Sequence, residues 1–267
     1  MKPYYETKLG KLYHGDCLEI LPQLEPVDLV VTSPPYDDLR QYDGYKFDFP
    51  KTAAAIKNKL NDGACIVWVV GDSTVDGSES GTSFRQALFF KSIGLNLHDT
   101  MIYATNKPPQ NSKRYEQEFE YMFVFSEGIP KTFNPIKRNR KWEDKRREKA
   151  YHRGKDGEMK KKQKMNINQC TIGNIWYYET GGGHSTRDKI AFNHPAIFPE
   201  ALARDHILSW SNPGDTVFDC FAGSGTTLKV AENTNRKWIG CEISEKYCEI
   251  IAKRLEQETS QLKLFAG

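Results

Sequence analysis

Short apolar runs alternate along the chain with stretches whose apolar positions recur at helical spacing, a pattern that predicts an α/β domain with a largely parallel sheet. Strands are predicted at Lys11 to His14, Asp28 to Thr32, Cys65 to Val70, Asp99 to Ala104, Phe119 to Phe125, Thr216 to Phe221 and Trp238 to Glu242. Helices are predicted at Cys17 to Leu21, Lys51 to Leu60, Ser83 to Ile93, Pro199 to Ser209, Thr226 to Asn233 and Ser244 to Glu258. The runs at 99–104 and 119–125 lie close in sequence with Pro108-Pro109 between them, which suggests an antiparallel pair at a sheet edge. Between Phe125 and Val217 the alternation lapses, so an inserted region is expected there.

Composition narrows the class. With 38% hydrophobic and 27% charged residues in 267, the chain is neither disordered nor a membrane protein. No run approaches the roughly 18 apolar residues that span a bilayer, and the opening MKPYYETKLGKLYHGD lacks a signal peptide's apolar core, so a cytoplasmic location is expected. Six cysteines without a CxxC pair suggest neither a disulfide framework nor a structural zinc site, and no metal is expected.

The formal charge of +3 hides an uneven distribution. Residues 131–165 hold 15 Lys and Arg against 5 Asp and Glu, a net +10, which leaves 23 against 30, or −7, elsewhere. A basic block between folded segments suits a polyanion, because clustered cations are rewarded by phosphate neutralisation; a solvated face is the alternative. Trp142 and Tyr151 interleave the charges.

Two motifs carry chemistry. Asp219-Cys220-Phe221-Ala222-Gly223-Ser224-Gly225-Thr226-Thr227 follows an apolar strand; its glycines let the backbone approach a ligand, and the helix after it offers free N–H groups. It is not a P-loop, a GxGxxG fingerprint or a GxSxG elbow. About twenty residues on, Trp238-Ile239-Gly240-Cys241-Glu242 ends a second strand in an acid able to accept both hydroxyls of a ribose, which implies a nucleoside-containing cofactor. The second motif is Thr32-Ser33-Pro34-Pro35-Tyr36, where two prolines fix φ and remove two N–H donors. Carbonyl acceptors beside the flat face of Tyr36 suit a base bearing an amino group.

Ser-Pro-Pro-Tyr at 33–36 together with Phe-Ala-Gly-Ser-Gly-Thr at 221–226 resembles the amino-directed DNA methyltransferases, which use S-adenosylmethionine to methylate N4 of cytosine or N6 of adenine. The motif order is similar to that of their circularly permuted β subgroup, and the resemblance covers nearly the whole chain. It implies a Rossmann-like class I methyltransferase fold, circularly permuted, with a mostly parallel seven-stranded sheet and an inserted basic target-recognition region. The catalytic half would occupy 1–130, the insertion 131–190 and the cofactor-binding half 191–267.

The same resemblance implies that the cofactor is held by Asp16 and Cys17, by His194 and Pro195, by Asp219, Phe221, Ala222, Gly223, Ser224, Gly225 and Thr226, and by Glu242. Ser33, Pro34, Pro35 and Tyr36 would form the catalytic turn. A base cannot be reached inside a duplex, so flipping onto Tyr36 is expected. Arg40, in the loop from Asp37 to Phe49, and Lys137, Arg138, Arg140, Lys141, Arg146 and Arg147 in the basic block are the expected DNA contacts. The partner is double-stranded DNA; a homodimer and a cognate restriction endonuclease are further partners the resemblance allows.

Ser33 replaces the Asp or Asn usual in adenine enzymes, and Phe198-Pro199 stands where adenine-directed β members commonly carry Lys-Pro, which favours N4 of cytosine over N6 of adenine. C5 methylation is disfavoured because none of the six cysteines follows a proline. An RNA or protein methyltransferase, or a binding module without catalysis, remain as the other classes.

Overall fold

The computed structural model describes residues 1–35, 47–106, 114–139, 151–153, 156–161, 169–181 and 183–265. These fall into two compact units, Met1–Asn134 with Asn174–Gly267, and Pro135–Gly173. The expected insertion of 131–190 is therefore wider than the separate unit, since residues from Asn174 onward pack with the larger one.

In the larger unit the chain runs through β1 (Tyr5–Glu6), β2 (Gly10–His14), α1 (Cys17–Ile20), β3 (Val27–Thr32), α2 (Phe49–Lys57), β4 (Leu60–Val70), a hairpin of β5 (Thr74–Val75) and β6 (Ser78–Glu79), α3 (Thr82–Ser92), β7 (Asn96–Ala104) and β8 (Phe119–Ser126). The smaller unit pairs β9 (Lys137–Asn139) with β12 (Gln169–Thr171) and β10 (Tyr151–Arg153) with β11 (Met159–Lys161), both antiparallel. The larger unit resumes with β13 (Ile175–Tyr177), α4 (Glu200–Trp210), β14 (Thr216–Asp219), α5 (Thr226–Asn233), β15 (Lys237–Glu242) and α6 (Glu245–Phe265).

The main sheet has nine strands in the order β1-β2-β15-β14-β3-β4-β8-β7-β13. Pairings from β2 through β4 are parallel, β8 is antiparallel to both its neighbours, and β13 returns parallel to β7. Seven of these strands are the predicted ones. The two additions, β1 and β13, are two and three residues long and carry no periodicity to read. The antiparallel pair forms as expected, but β13 covers β7, so that pair is not the edge.

Period-two alternation sorts the apolar residues of the central strands onto two faces. Val30, Ile66, Trp68 and Phe218 join Ile20, Ile56, Ala87 and Phe90 of α1–α3 in one core. The alternate residues Leu29, Val31, Cys65, Val67 and Val217 are equally buried. A sheet buried on both faces needs continuous apolar strands, and that is why residues 29–31 of β3 and 64–70 of β4 read as unbroken apolar runs.

Local chemistry corrects several boundaries. Asp48 accepts the Lys51 N–H at 3.2 Å and so starts α2 at Phe49, while Leu60 belongs to the next strand. Strand β14 stops at Asp219 and not Phe221, because the Asp219 carboxylate accepts the Phe221 N–H at 3.1 Å and turns the backbone out of the ladder. Among the described residues no helix is long and apolar enough to cross a membrane.

Candidate active site

The permuted sheet brings the carboxyl ends of β2, β15, β14 and β3 side by side, the place where open parallel sheets bind ligands. A cavity of about 520 Å³ opens there, a volume suited to a cofactor-sized ligand. Its walls include Gly15, Asp16 and Cys17 after β2, Cys241 and Glu242 at the end of β15 with Ile243 after them, Cys220 to Ser224 and Thr226 after β14, and Ser33, Pro34 and Pro35 after β3. Residues His194 to Phe198 close another side, and Tyr103, Thr105, Glu120 and Thr180 complete the lining.

The glycine turn takes its shape from two left-handed residues, Gly223 at φ +53° and Gly225 at φ +78°. A Cβ on Gly223 would stand 3.1 Å from the His194 ring, and one on Gly225 would meet the Ile251 side chain at 2.9 Å. Glycine at 223 thus keeps the turn against the cavity wall, whereas glycine at 225 lets α5 begin against α6. Arg254, 1% exposed, donates to the Ser224 carbonyl and holds Asp188 at 2.9 Å and Glu200 at 2.7 Å. Lys229 joins the same carboxylates at 3.2 and 3.1 Å and Glu258 at 2.8 Å. This buried ionic cluster pins the turn from beneath; removing one partner from such a cluster costs about 3–5 kcal/mol.

Glu242 meets the turn from the next strand. One carboxylate oxygen accepts the Gly223 N–H at 2.8 Å and the other the Ser244 N–H at 2.9 Å. Burial pushes its pKa up to about 7 against the pull of those amides. Each oxygen retains acceptor capacity on the cavity wall, and a buried carboxylate of this kind is completed by a pair of hydroxyl donors. The acceptor pair therefore fits the ribose hydroxyls of a nucleoside-containing cofactor.

Asp219 differs from its expected place. It is 1% exposed, does not line the cavity, and accepts from the Thr32 hydroxyl at 2.7 Å as well as from the Phe221 amide. Burial raises its pKa to about 6, opposed by those hydrogen bonds. It ties the end of β3 to the end of β14, so it shapes the turn from behind. Gly225 is likewise off the wall.

Of the other expected cofactor residues, Asp16 lines the cavity and caps α1 by accepting the Leu18 N–H at 2.9 Å. The Cys17 thiol is pushed up to about 12 by burial and then by Asp16, so it is a neutral wall group. The His194 ring packs edge-on against Tyr247, with centroids 4.4 Å apart, and its Nδ1 lies 2.7 Å from the Ala196 carbonyl. Pro195, Phe221, Ala222, Gly223, Ser224 and Thr226 all line the cavity.

Ser33, Pro34 and Pro35 share the cavity with them, whereas Tyr36, Arg40, Arg140, Lys141, Arg146 and Arg147 lie outside the described residues. Lys137 and Arg138 are exposed on β9 of the smaller unit. Sequence reading missed Tyr103, Thr105, Glu120 and Thr180, which sit in no motif; the signal was the end of a predicted strand beside a predicted partner. It also missed the Arg254 and Lys229 cluster, whose members come from helical faces far apart in sequence.

The orphan methyltransferase M.BamHII of Bacillus amyloliquefaciens is 53% identical over 250 residues, covering 91% of this chain and 90% of its own. The type II methyltransferase M.BamHI of the same organism is 30% identical over 278 residues, 99% of this chain and 61% of its own length. The solved PvuII DNA methyltransferase (cytosine-N4-specific) shares the fold, with a TM-score of 0.69 over 97% of this chain and 93% of that one at 23% identity. The description of the N6/N4 DNA methylases matches residues 27–253, from β3 with its Ser-Pro-Pro turn into α6 beyond Glu242, and the chain belongs to that DNA methylase family.

Proposed function

We propose that this DNA amino-methyltransferase moves the methyl group of S-adenosylmethionine to the exocyclic N4 amine of cytosine in double-stranded DNA, on a base turned out of the helix. One observation carries the reading: the Ser33-Pro34-Pro35 turn lines the same cavity as the Gly223 turn and Glu242. An amine acceptor site and a ribose acceptor site thus face one space.

S-adenosylmethionine, when bound, supplies a methyl group made electrophilic by its sulfonium. Glu242 accepts the ribose hydroxyls, and Asp16 and the His194 segment bound the same end of the cavity. An exocyclic amine is a poor nucleophile because its lone pair is delocalised into the ring. Ser33 Oγ and the Pro34 carbonyl accept its two hydrogens and favour a pyramidal nitrogen as positive charge develops. Holding the amine in line with the methyl supplies much of the barrier reduction. Ser33 is too weak a base to take the proton, which leaves to water after transfer.

Cytosine is favoured by Ser33 at the head of the turn and by Phe198-Pro199, where Phe198 lines the cavity. The smaller unit, with 14 Lys and Arg against 5 Asp and Glu between Pro135 and Gly173, serves as the DNA-reading part, with Lys137 and Arg138 among its contacts. The test is nucleoside mass spectrometry of DNA methylated by the purified protein. N4-methylcytosine supports the reading; N6-methyladenine moves the assignment to adenine, and transfer to RNA or protein alone overturns it.

A further inference from the structure

The cavity has a second end that the cofactor residues do not occupy. In sheet order, β2, β15 and β14 lie on one side of β3 and its Ser33-Pro34-Pro35 turn, while β4, β8 and β7 lie on the other. Three strand spacings separate β3 from β7, about 14 Å at roughly 4.8 Å each. That leaves room for one heteroaromatic ring between side chains reaching in from both sides.

The far wall is polar and arises from the antiparallel pair. Tyr103 is cross-strand partner to Glu120, and the Thr105 N–H extends the ladder to the Glu118 carbonyl at 2.7 Å. Residues 103 and 105 alternate along one strand and so address the same face. Both line the cavity, as does Glu120. Tyr103 is 4% exposed, and among the described residues its hydroxyl makes no hydrogen bond; its ring rests against Tyr178 with centroids 5.9 Å apart. The Thr105 hydroxyl is buried without a partner among the described residues. A buried hydroxyl left without a partner is costly unless a ligand completes it, and Tyr103 places a second hydroxyl on the same cavity wall as Thr105.

We propose that Tyr103 and Thr105 read the ring edge of the flipped base by donating to its ring nitrogen and carbonyl oxygen, which are adjacent acceptors on cytosine. Adenine offers one ring nitrogen and a C–H at those places, so a pair of donors discriminates between the two bases. Burial and the neighbouring Glu120 carboxylate raise the Tyr103 pKa, which keeps its hydroxyl a donor. This inference rests on the amine-transfer reading given above, with Ser33 and Pro34 holding the amine that neighbours the ring nitrogen on the same edge of the base.

The test uses the full chain, plasmid DNA from a methylation-deficient host and labelled S-adenosylmethionine. Tyr103→Phe and Thr105→Val remove one hydroxyl each with little change of shape. Each is expected to lower kcat/KM for DNA about tenfold, the scale of one lost hydrogen bond. The share of N6-methyladenine among the products should rise, with the Kd for S-adenosylmethionine within twofold of the unaltered protein. Unchanged rate and product ratio in both variants overturn the inference, as does a fall in cofactor affinity that accounts for the whole loss of rate. If the unaltered protein methylates no DNA, the amine-transfer reading itself fails, an outcome distinct from methylation that ignores both substitutions.

Discussion

The Thr32 hydroxyl donates to the Asp219 carboxylate at 2.7 Å, across 187 positions of sequence, in the buried seam between β3 and β14. Each residue directly precedes a motif loop, so one hydrogen bond sets the spacing between the Ser33-Pro34-Pro35 turn and the Gly223 turn. Thr32→Val leaves a buried carboxylate short of a donor. Stability should fall by about 1–3 kcal/mol in urea unfolding, and cofactor affinity should fall with it. Unchanged affinity in a destabilised variant would separate the bond from the site.

Glu242 predicts a pH dependence. Its folded pKa of about 7 lies above the ordinary 4.5, so between those values the folded chain holds a proton the unfolded chain has lost. Its contribution to stability is thus present below about pH 4.5 and declines as pH rises through 7, by on the order of 3 kcal/mol. In the proposed cofactor site ribose hydroxyls favour the ionised form, so adenosine should bind more tightly as pH rises from 5.5 to 7 and level off above. Glu242→Gln should flatten both curves, as read by unfolding and by calorimetry.

Ser33→Ala removes one of the two amine acceptors proposed above and leaves Glu242 in place. The rate constant of the methyl-transfer step should fall about 100-fold, the scale found for single charge-stabilising groups. Cofactor Kd should stay the same, and single-turnover kinetics separate the two quantities.

Gly225→Ala sets a Cβ 2.9 Å from Ile251 at a φ of +78°. Strain and overpacking together should cost about 2–4 kcal/mol of stability. The double variant with Ile251→Ala relieves the contact but not the backbone, so it should recover less than the whole loss relative to Ile251→Ala alone.

DNA binding should weaken with salt, with a slope in log–log form set by the number of phosphates contacted. Replacing both Lys137 and Arg138 by Ala should reduce that slope by about two, as measured by fluorescence anisotropy between 50 and 200 mM salt. A slope unchanged by both replacements returns this part of the basic block to a solvated face.

Local order in the chain was enough for much of the fold and for the motif residues. Short apolar runs between turn residues marked seven strands, most clearly β4, whose residues 64–70 are buried on both faces and form one apolar run. Ser33 to Pro35 and Phe221 to Ser224 were legible because each group is contiguous and its chemistry follows from backbone freedom, φ restriction and missing donors. Other features have no local signature. Asp219 looks like a ligand-facing acid until the strand order sets Thr32 beside it. The Tyr103, Thr105 and Glu120 wall exists only because an antiparallel β8 enters a parallel sheet and brings positions 103 and 120 into register. Arg254 and Lys229 read as ordinary helical charges, yet α5, α6 and the segment around Asp188 meet beneath the glycine turn. Spacing along a chain says which face a side chain takes, whereas its partner on that face depends on sheet order and helix packing, which join residues far apart in sequence.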